Sequence, residues 1–309
     1  MKEIKECIEE FLFHCQYEKN LSPRTLNSYQ LDLRQFTDFL KAGNHTSDIH
    51  HLDKVILKDY IKRLYSQKPK TIKRKIATLK ALFNFLEFED TISINPFRKI
   101  KIQIKEPREL PTVMTLDEVR DIFKAAQQHR RSIKKSTSPR YNEACRDIAI
   151  LELLFATGIR VSELCSLKAD RIDLKEGSIQ VLGKGAKERL VSIHHAESLQ
   201  ALSDYQTRFN TPIRETGYFF VNRLGKPITT QSIRFMISKY VRLARIEKNI
   251  TPHTFRHTFA TLLLEENVDI KYIQHILGHS SIMTTQIYTH VNQQKQREIL
   301  ATRHPRMGF

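Results

Sequence analysis

Through its first hundred residues the chain repeats apolar side chains at intervals of three and four, and a polypeptide patterned in that way buries them only by packing helices together. In "LSPRTLNSYQLDLRQFTDFLKAG", residues 21–43, the residues Leu26, Tyr29, Leu33, Phe36, Phe39 and Leu40 keep that spacing. Ser22 stands as an N-cap, Pro23 as the first helical residue and Gly43 as the stop. In "KTIKRKIATLKALFNFLEF", residues 70–88, Ile72, Ile76, Leu79, Leu82, Phe83 and Leu86 form an inner face. Lys70, Lys73, Arg74, Lys75 and Lys80 fall on or beside the outer one. The pattern lapses at "NPFRKIKIQIKEPRELPTVMT", residues 95–115, whose three prolines mark a linker. A helical domain over 1–105 and a second domain over 106–309 are therefore expected.

The second domain opens with a capping box at Thr115 and Glu118. The polar and basic segment from Gln127 to Glu143 lacks an apolar period and reads as a surface loop or helix extension. "RDIAILELLFATG" returns to a buried helical pattern and ends at a Gly158 C-cap. The period then changes. Short β-type runs at 172–174, 178–182 and 189–193, separated by "KEG" and "GKGAKE" turns, predict a small antiparallel sheet. The remainder is helical, so the fold class is mainly α with one small sheet.

Both domains are basic. Residues 1–105 hold 20 Lys and Arg against 13 Asp and Glu, and the remainder 31 against 21, which together make the net +17. Such an excess is the footprint of a polyanion partner, with a merely solvated basic surface as the alternative. The single-signed face bearing Lys70, Lys73, Arg74 and Lys80 points to phosphate contacts. The opening "MKEIKECIEEFLFHCQYEKN" carries acidic residues inside its apolar pattern, unlike a secretory leader. No apolar run approaches the roughly 18 residues of a membrane span, so a cytoplasmic protein with no membrane partner is expected. Its four cysteines form no CxxC pair and are expected to be buried, reduced thiols.

The chemistry gathers near the end of the chain. "TPHTFRHTFATLLLEENVDIKYIQHILGHSSIMTTQIYTH", residues 251–290, contains five histidines, one arginine and two tyrosines. Thr251 and Pro252 start a helix that places His253 and Arg256 on one face of its first turn, a natural anion site. Gly278 ends the next helix and His279 follows. A zinc site is disfavoured because no HExxH pattern occurs and Arg256 would oppose a cation held by His253. A two-metal nuclease lacks its converging carboxylates. Guanidinium groups beside a phenol suit attack on a phosphodiester, since a phenol of pKa about 10 is a weak nucleophile until the developing charge is stabilised. A second arginine is needed for this. "ATGIRVSELCSL" supplies Arg160, with Glu163 one turn on to orient it.

Arg160 in "TGIRVSEL", Lys184 in "GKGAKERLVSI", His253 and Arg256 in "HTFRHTFAT", His279 in "LGHSS" and Tyr288 in "IYTHV" together resemble the active site of the tyrosine recombinases. The chain is most similar to the compact Xer-type members, over nearly its whole length and through "HPR" at 304–306. The resemblance implies a helical N-terminal core DNA-binding domain and a C-terminal catalytic domain with a tail, closing on DNA as a clamp. It implies that Tyr288 attacks the scissile phosphate to give a 3′-phosphotyrosyl link and a 5′-hydroxyl. Arg160 and Arg256 would bind the nonbridging oxygens, and Lys184 would protonate the leaving 5′-oxygen. His253 would accept the tyrosine proton, His279 would hydrogen-bond the transition state and Glu163 would orient the site. Neither metal nor any other cofactor is required.

By the same resemblance the partner is double-stranded DNA with paired recombination sites. Four protomers, all of this chain or shared with a second recombinase, would exchange strands through a Holliday junction. The tail after Tyr288 would pack on a neighbouring protomer. Lys187 and Arg189 are expected to be DNA contacts, Tyr272 a core residue, and His257 and His290 structural. The segment 127–143 is longer than expected for a compact Xer protein, which leaves room for a mobile-element integrase or transposase. Two further readings stay open: a type IB topoisomerase-like enzyme, and a catalytically silent DNA-binding protein.

Overall fold

The computed structural model describes residues 2–105, 111–183 and 188–278. The chain separates into two compact units, residues 1–108 and 109–309. The first is built from α1 (Ile4–Phe13), α2 (Pro23–Ala42), α3 (Lys54–Leu64) and α4 (Pro69–Phe88). The turn after α1, His14–Glu18, is π-helical. Ser22 caps α2 by accepting from the Thr25 N–H, and Asp53 caps α3 by accepting from Val55 and Ile56. Helix α4 packs against α1, α2 and α3. Their stripes meet in a core that includes Phe11, Leu33, Phe36, Leu57, Leu79, Leu82, Phe83 and Leu86. Each such side chain contributes about 1.5–3 kcal/mol.

Not all of the α4 cations lie where the sequence put them. Lys70, Lys73 and Arg74 are exposed and Lys80 is half-buried, but Lys75 is buried. Its position beside Ile72, Ile76 and Leu79 on the helix turns it inward, and burial lowers its pKa. Arg74 donates to the buried Asp32 of α2, which also accepts from Thr78 Oγ1 at 3.0 Å. The Arg74 guanidinium is thus held through Nη1 by an ion pair between two helices.

The second unit is organised around α6 (Pro139–Thr157), which packs against α5 (Leu116–Arg131), α8 (Ala196–Arg208) and α11 (Pro252–Glu265). Because it is surrounded, α6 buries residues on most of its circumference, including Ile148 to Leu151, Leu153 and Leu154. The Thr115–Glu118 capping box opens α5. Of the two readings of 127–143, helix extension holds at both ends: α5 continues to Arg131, and Ser138 with Pro139 caps and starts α6, as Ser22 with Pro23 does for α2, with 132–138 between them. The last buried residues of α5 are Ala125 and Ala126, just before the segment, and none of residues 127–143 is buried.

Strands β1 (Ile172–Asp173), β2 (Ser178–Leu182) and β3 (Glu188–Ser192) form an antiparallel sheet in that order. Ile179 pairs with Val191 and Val181 with Arg189. The pleat sends Ile179, Val181 and Val191 into the core formed with α6 and its neighbours. The fold continues through α7 (Val161–Ser166), which starts directly after its N-cap Arg160, and then α9 (Asn210–Thr216), α10 (Thr230–Leu243) and α12 (Ile270–Leu277). Helix α12 docks on α11 through Ile273 and Leu277 against Ala260, Phe259 and Leu263. Tyr272, expected in the core, is 69% exposed, because Ile273 and Leu277 take the inward face of α12. The four cysteines are free thiols, three of them buried. Among the described residues no helix is long and apolar enough to cross a membrane.

Candidate active site

Two left-handed glycines bring distant segments together. Gly158 (φ +59°) ends α6, and Gly278 (φ +65°) ends α12. A Cβ on Gly158 would lie 2.6 Å from Phe259 Cδ1 and 2.9 Å from Leu277 Cδ2, so this turn can approach α11 and α12 only as glycine. The carbonyls freed at these helix ends are bound by arginines. Arg256 Nη1 donates to Gly158 O and Nη2 to Leu277 O, both at 2.7 Å. Arg160 Nη2 donates to Gly278 O at 2.9 Å. The partial negative charge at the carboxyl end of α12 favours these two cations. Residues 118 and 21 positions away thereby share one helix end.

Glu163 fixes the first of them. Its carboxylate accepts from the Arg160 backbone N–H at 2.9 Å and from Arg160 Nη1 at 2.7 Å. It also accepts from Arg189 Nη1 at 3.0 Å and Nη2 at 2.7 Å. Burial alone would raise its pKa, but the donors from Arg189 and Arg160 outweigh that and hold it below the usual carboxylate value. Arg160 is 31% exposed in its side chain, so it faces solvent from a rigid base. Arg256, 4% exposed, sits deeper. The Thr251 cap and Pro252 start α11 as the sequence predicted, and they place the exposed His253 one turn ahead of Arg256.

His257 is half-buried on the same helix, and its pKa is pushed down to about 4, first by burial and then by the neighbouring His253 and Arg256. Below the ordinary value of 6.5 the unfolded chain takes up a proton that the folded protein refuses. The His257 contribution to stability is therefore full above about pH 6.5, falls as the pH drops toward 4 and levels off beneath it. Urea midpoints of the wild type are expected to decline through this window and those of His257→Gln to stay flatter; equal slopes would show that another group titrates. The Glu163 contribution is lost only lower, as pH falls below 4.5 and through its depressed folded pKa.

Of the candidate site residues, the structure thus gathers Arg160, Glu163 and Arg256 at one helix end, with His253 one turn along α11. Lys184, Lys187, His279 and Tyr288 lie outside the described residues. Arg189, expected as a DNA contact, is instead turned inward with its side chain 9% exposed, bound to Glu163 and, through Nε, to Ile276 O at 3.1 Å. Strand alternation carried the signal: Arg189 shares its face with Val191, a buried residue.

Two family models match the chain: the phage integrase family over residues 112–295, and the phage integrase N-terminal SAM-like domain over residues 8–90. A tyrosine recombinase of Agathobacter rectalis is 43% identical, with 100% of this chain and 99% of the relative covered. The chain belongs to the phage integrase family of tyrosine recombinases. It is also 36% identical to the tyrosine recombinase XerC of Thermodesulfovibrio yellowstonii, over 96% of both chains. The fold matches the XerH site-specific recombinase solved in a post-cleavage complex with palindromic difH DNA, with a TM-score of 0.75 at 22% identity, over 96% of this chain and 84% of that one. This recombinase is therefore an enzyme of site-specific DNA strand exchange, nearest the Xer type.

Proposed function

We propose that this recombinase cuts and rejoins DNA through a 3′-phosphotyrosyl bond on Tyr288. The observation that carries the reading is the meeting of Arg160 and Arg256, far apart in sequence, on the same end of α12, immediately before His279. Two guanidiniums held in fixed planes suit the nonbridging oxygens of a scissile phosphate, whose negative charge grows in the transition state. His253 takes the Tyr288 proton, and Lys184 donates to the leaving 5′-oxygen. His279 hydrogen-bonds the phosphate. The bond energy is conserved in the phosphotyrosyl ester, so a 5′-hydroxyl from the partner duplex reverses the attack and seals the strand.

The partner is double-stranded DNA carrying two recombination sites, gripped by the helical domain (1–105) and the catalytic domain (106–309). Lys70, Lys73, Arg74 and Lys80 supply backbone contacts from α4, and Lys187 supplies one from the β2–β3 turn. Four protomers exchange strands through a Holliday junction, either alone or with a second recombinase, in the cytoplasm.

The direct test is to express the protein in cells, denature rapidly, capture it with covalently attached DNA and sequence the fragments. Fragments focused on one short inverted repeat are expected. Scattered fragments would favour topoisomerase-like relaxation, and none would favour a silent DNA-binding protein.

A further inference from the structure

Three guanidiniums from three different elements close on the carboxyl end of α12. Arg160, ahead of α7, binds Gly278 O; Arg256 of α11 binds Leu277 O; and Arg189 of β3 binds Ile276 O. Between Arg160 and Arg189 lies Glu163, gripped by Arg189 in bidentate fashion at 2.7 and 3.0 Å. A forked guanidinium matched to both carboxylate oxygens fixes the carboxylate plane, which a lysine ammonium cannot do. Arg189 also packs on the open face of Gly278, where an added Cβ would meet its Cδ and Nη1 at 3.1 Å. The proposed role of Arg160 does not account for the contacts made by Arg189.

We propose that Arg189 is a positioning residue that sets Arg160 for the scissile phosphate. It clamps one side of Glu163, and it pins the helix end on which the Arg160 guanidinium rests. With Arg189 removed, Glu163 and the end of α12 lose their common anchor, and the Arg160 guanidinium that rests on both shifts off the phosphate. Arg189 then acts without touching DNA. This deepens the phosphotyrosyl reading above and rests on it.

The test uses the full chain and a synthetic duplex carrying the site recovered by covalent capture, with single-turnover formation of the covalent complex measured at saturating protein. Wild type cleaving this duplex while Tyr288→Phe does not establishes the underlying reading independently of Arg189; cleavage by neither would be a failure of that reading. Arg189→Lys is expected to cleave about 100-fold more slowly, the size of a small misplacement of a catalytic group. Its DNA affinity and salt dependence should remain those of wild type. A 5′-bridging thiol in the duplex should restore Lys184→Ala and leave Arg189→Lys slow.

Because an unpaired Glu163 could compromise folding, the neutral pair Glu163→Gln with Arg189→Gln serves as a second variant. It should melt cooperatively and remain slow. Cleavage within threefold of wild type in either variant would overturn the proposal. So would weakened binding with a salt slope shallower by about one, the mark of a lost phosphate contact. Thiol rescue of Arg189→Lys would also overturn it, by moving the residue to the leaving-group side.

Discussion

Tyr288→Phe is expected to eliminate covalent attachment to DNA while leaving DNA affinity within about twofold of wild type. On the proposed mechanism the substitution removes the phenolic oxygen that forms the ester, so the loss should be complete rather than graded. Affinity should survive because the proposed backbone contacts are shared among many lysines and arginines, each contributing a fraction of the total. The measurement is a denaturing gel of protein mixed with end-labelled duplex. Residual covalent product from Tyr288→Phe would transfer the nucleophile elsewhere, and Tyr272 is the residue to test next, since it is 69% exposed on α12. Geometry argues against it. Tyr272 lies in the first turn of α12 and the arginines gather beyond its last, roughly 7 Å further along the axis at about 1.5 Å per residue. Tyr272→Phe is accordingly expected to cleave like wild type.

The difference between what was and was not legible in the sequence is physical. Helix starts were readable because a cap is a local object: Ser22 with Pro23, Thr115 with Glu118, and Thr251 with Pro252 each satisfy N–H groups within four residues. The stops at Gly158 and Gly278 were readable for the same reason. Lys75 and Tyr272 were misplaced because a helical period assigns a face but not its width, and packing partners decide which flanking residues are covered. The helical ends of 127–143 show no apolar period because none of those residues is buried. Arg189 is the instructive case. Its charge suggested a DNA contact, whereas the alternation through Val191 pointed inward. Burial of a forked cation against Glu163 then resolved the conflict in a way that needed both partners, 26 residues apart, to be seen together. The convergence of Arg160 and Arg256 on one helix end is likewise a tertiary fact, which spacing along the chain does not contain.

Arg256→Ala is expected to lose both stability and cleavage, and the separation of the two losses decides what Arg256 does. The guanidinium is 4% exposed and bonds two carbonyls at 2.7 Å, from Gly158 and Leu277. Truncation strips these donors from two buried acceptors, at a cost of about 1–3 kcal/mol each. The α6 and α12 ends then lose a common anchor. A fall in folding stability on the order of 3 kcal/mol is expected from urea denaturation. Cleavage by the protein that remains folded should drop at least about 1000-fold, because a charge aligned with the phosphate is worth that much in a preorganised site. Arg256→Lys isolates the second effect. It keeps the cation and can reach one carbonyl, so it should recover most of the stability but little of the rate, since an ammonium cannot hold a fixed plane toward two oxygens. If Arg256→Lys recovers rate and stability in equal proportion, Arg256 is a strut between two helix ends and the phosphate is bound by Arg160 alone. If stability returns and cleavage does not, the same guanidinium that ties α6 to α12 also carries the catalytic charge, and the fold and the chemistry share one residue.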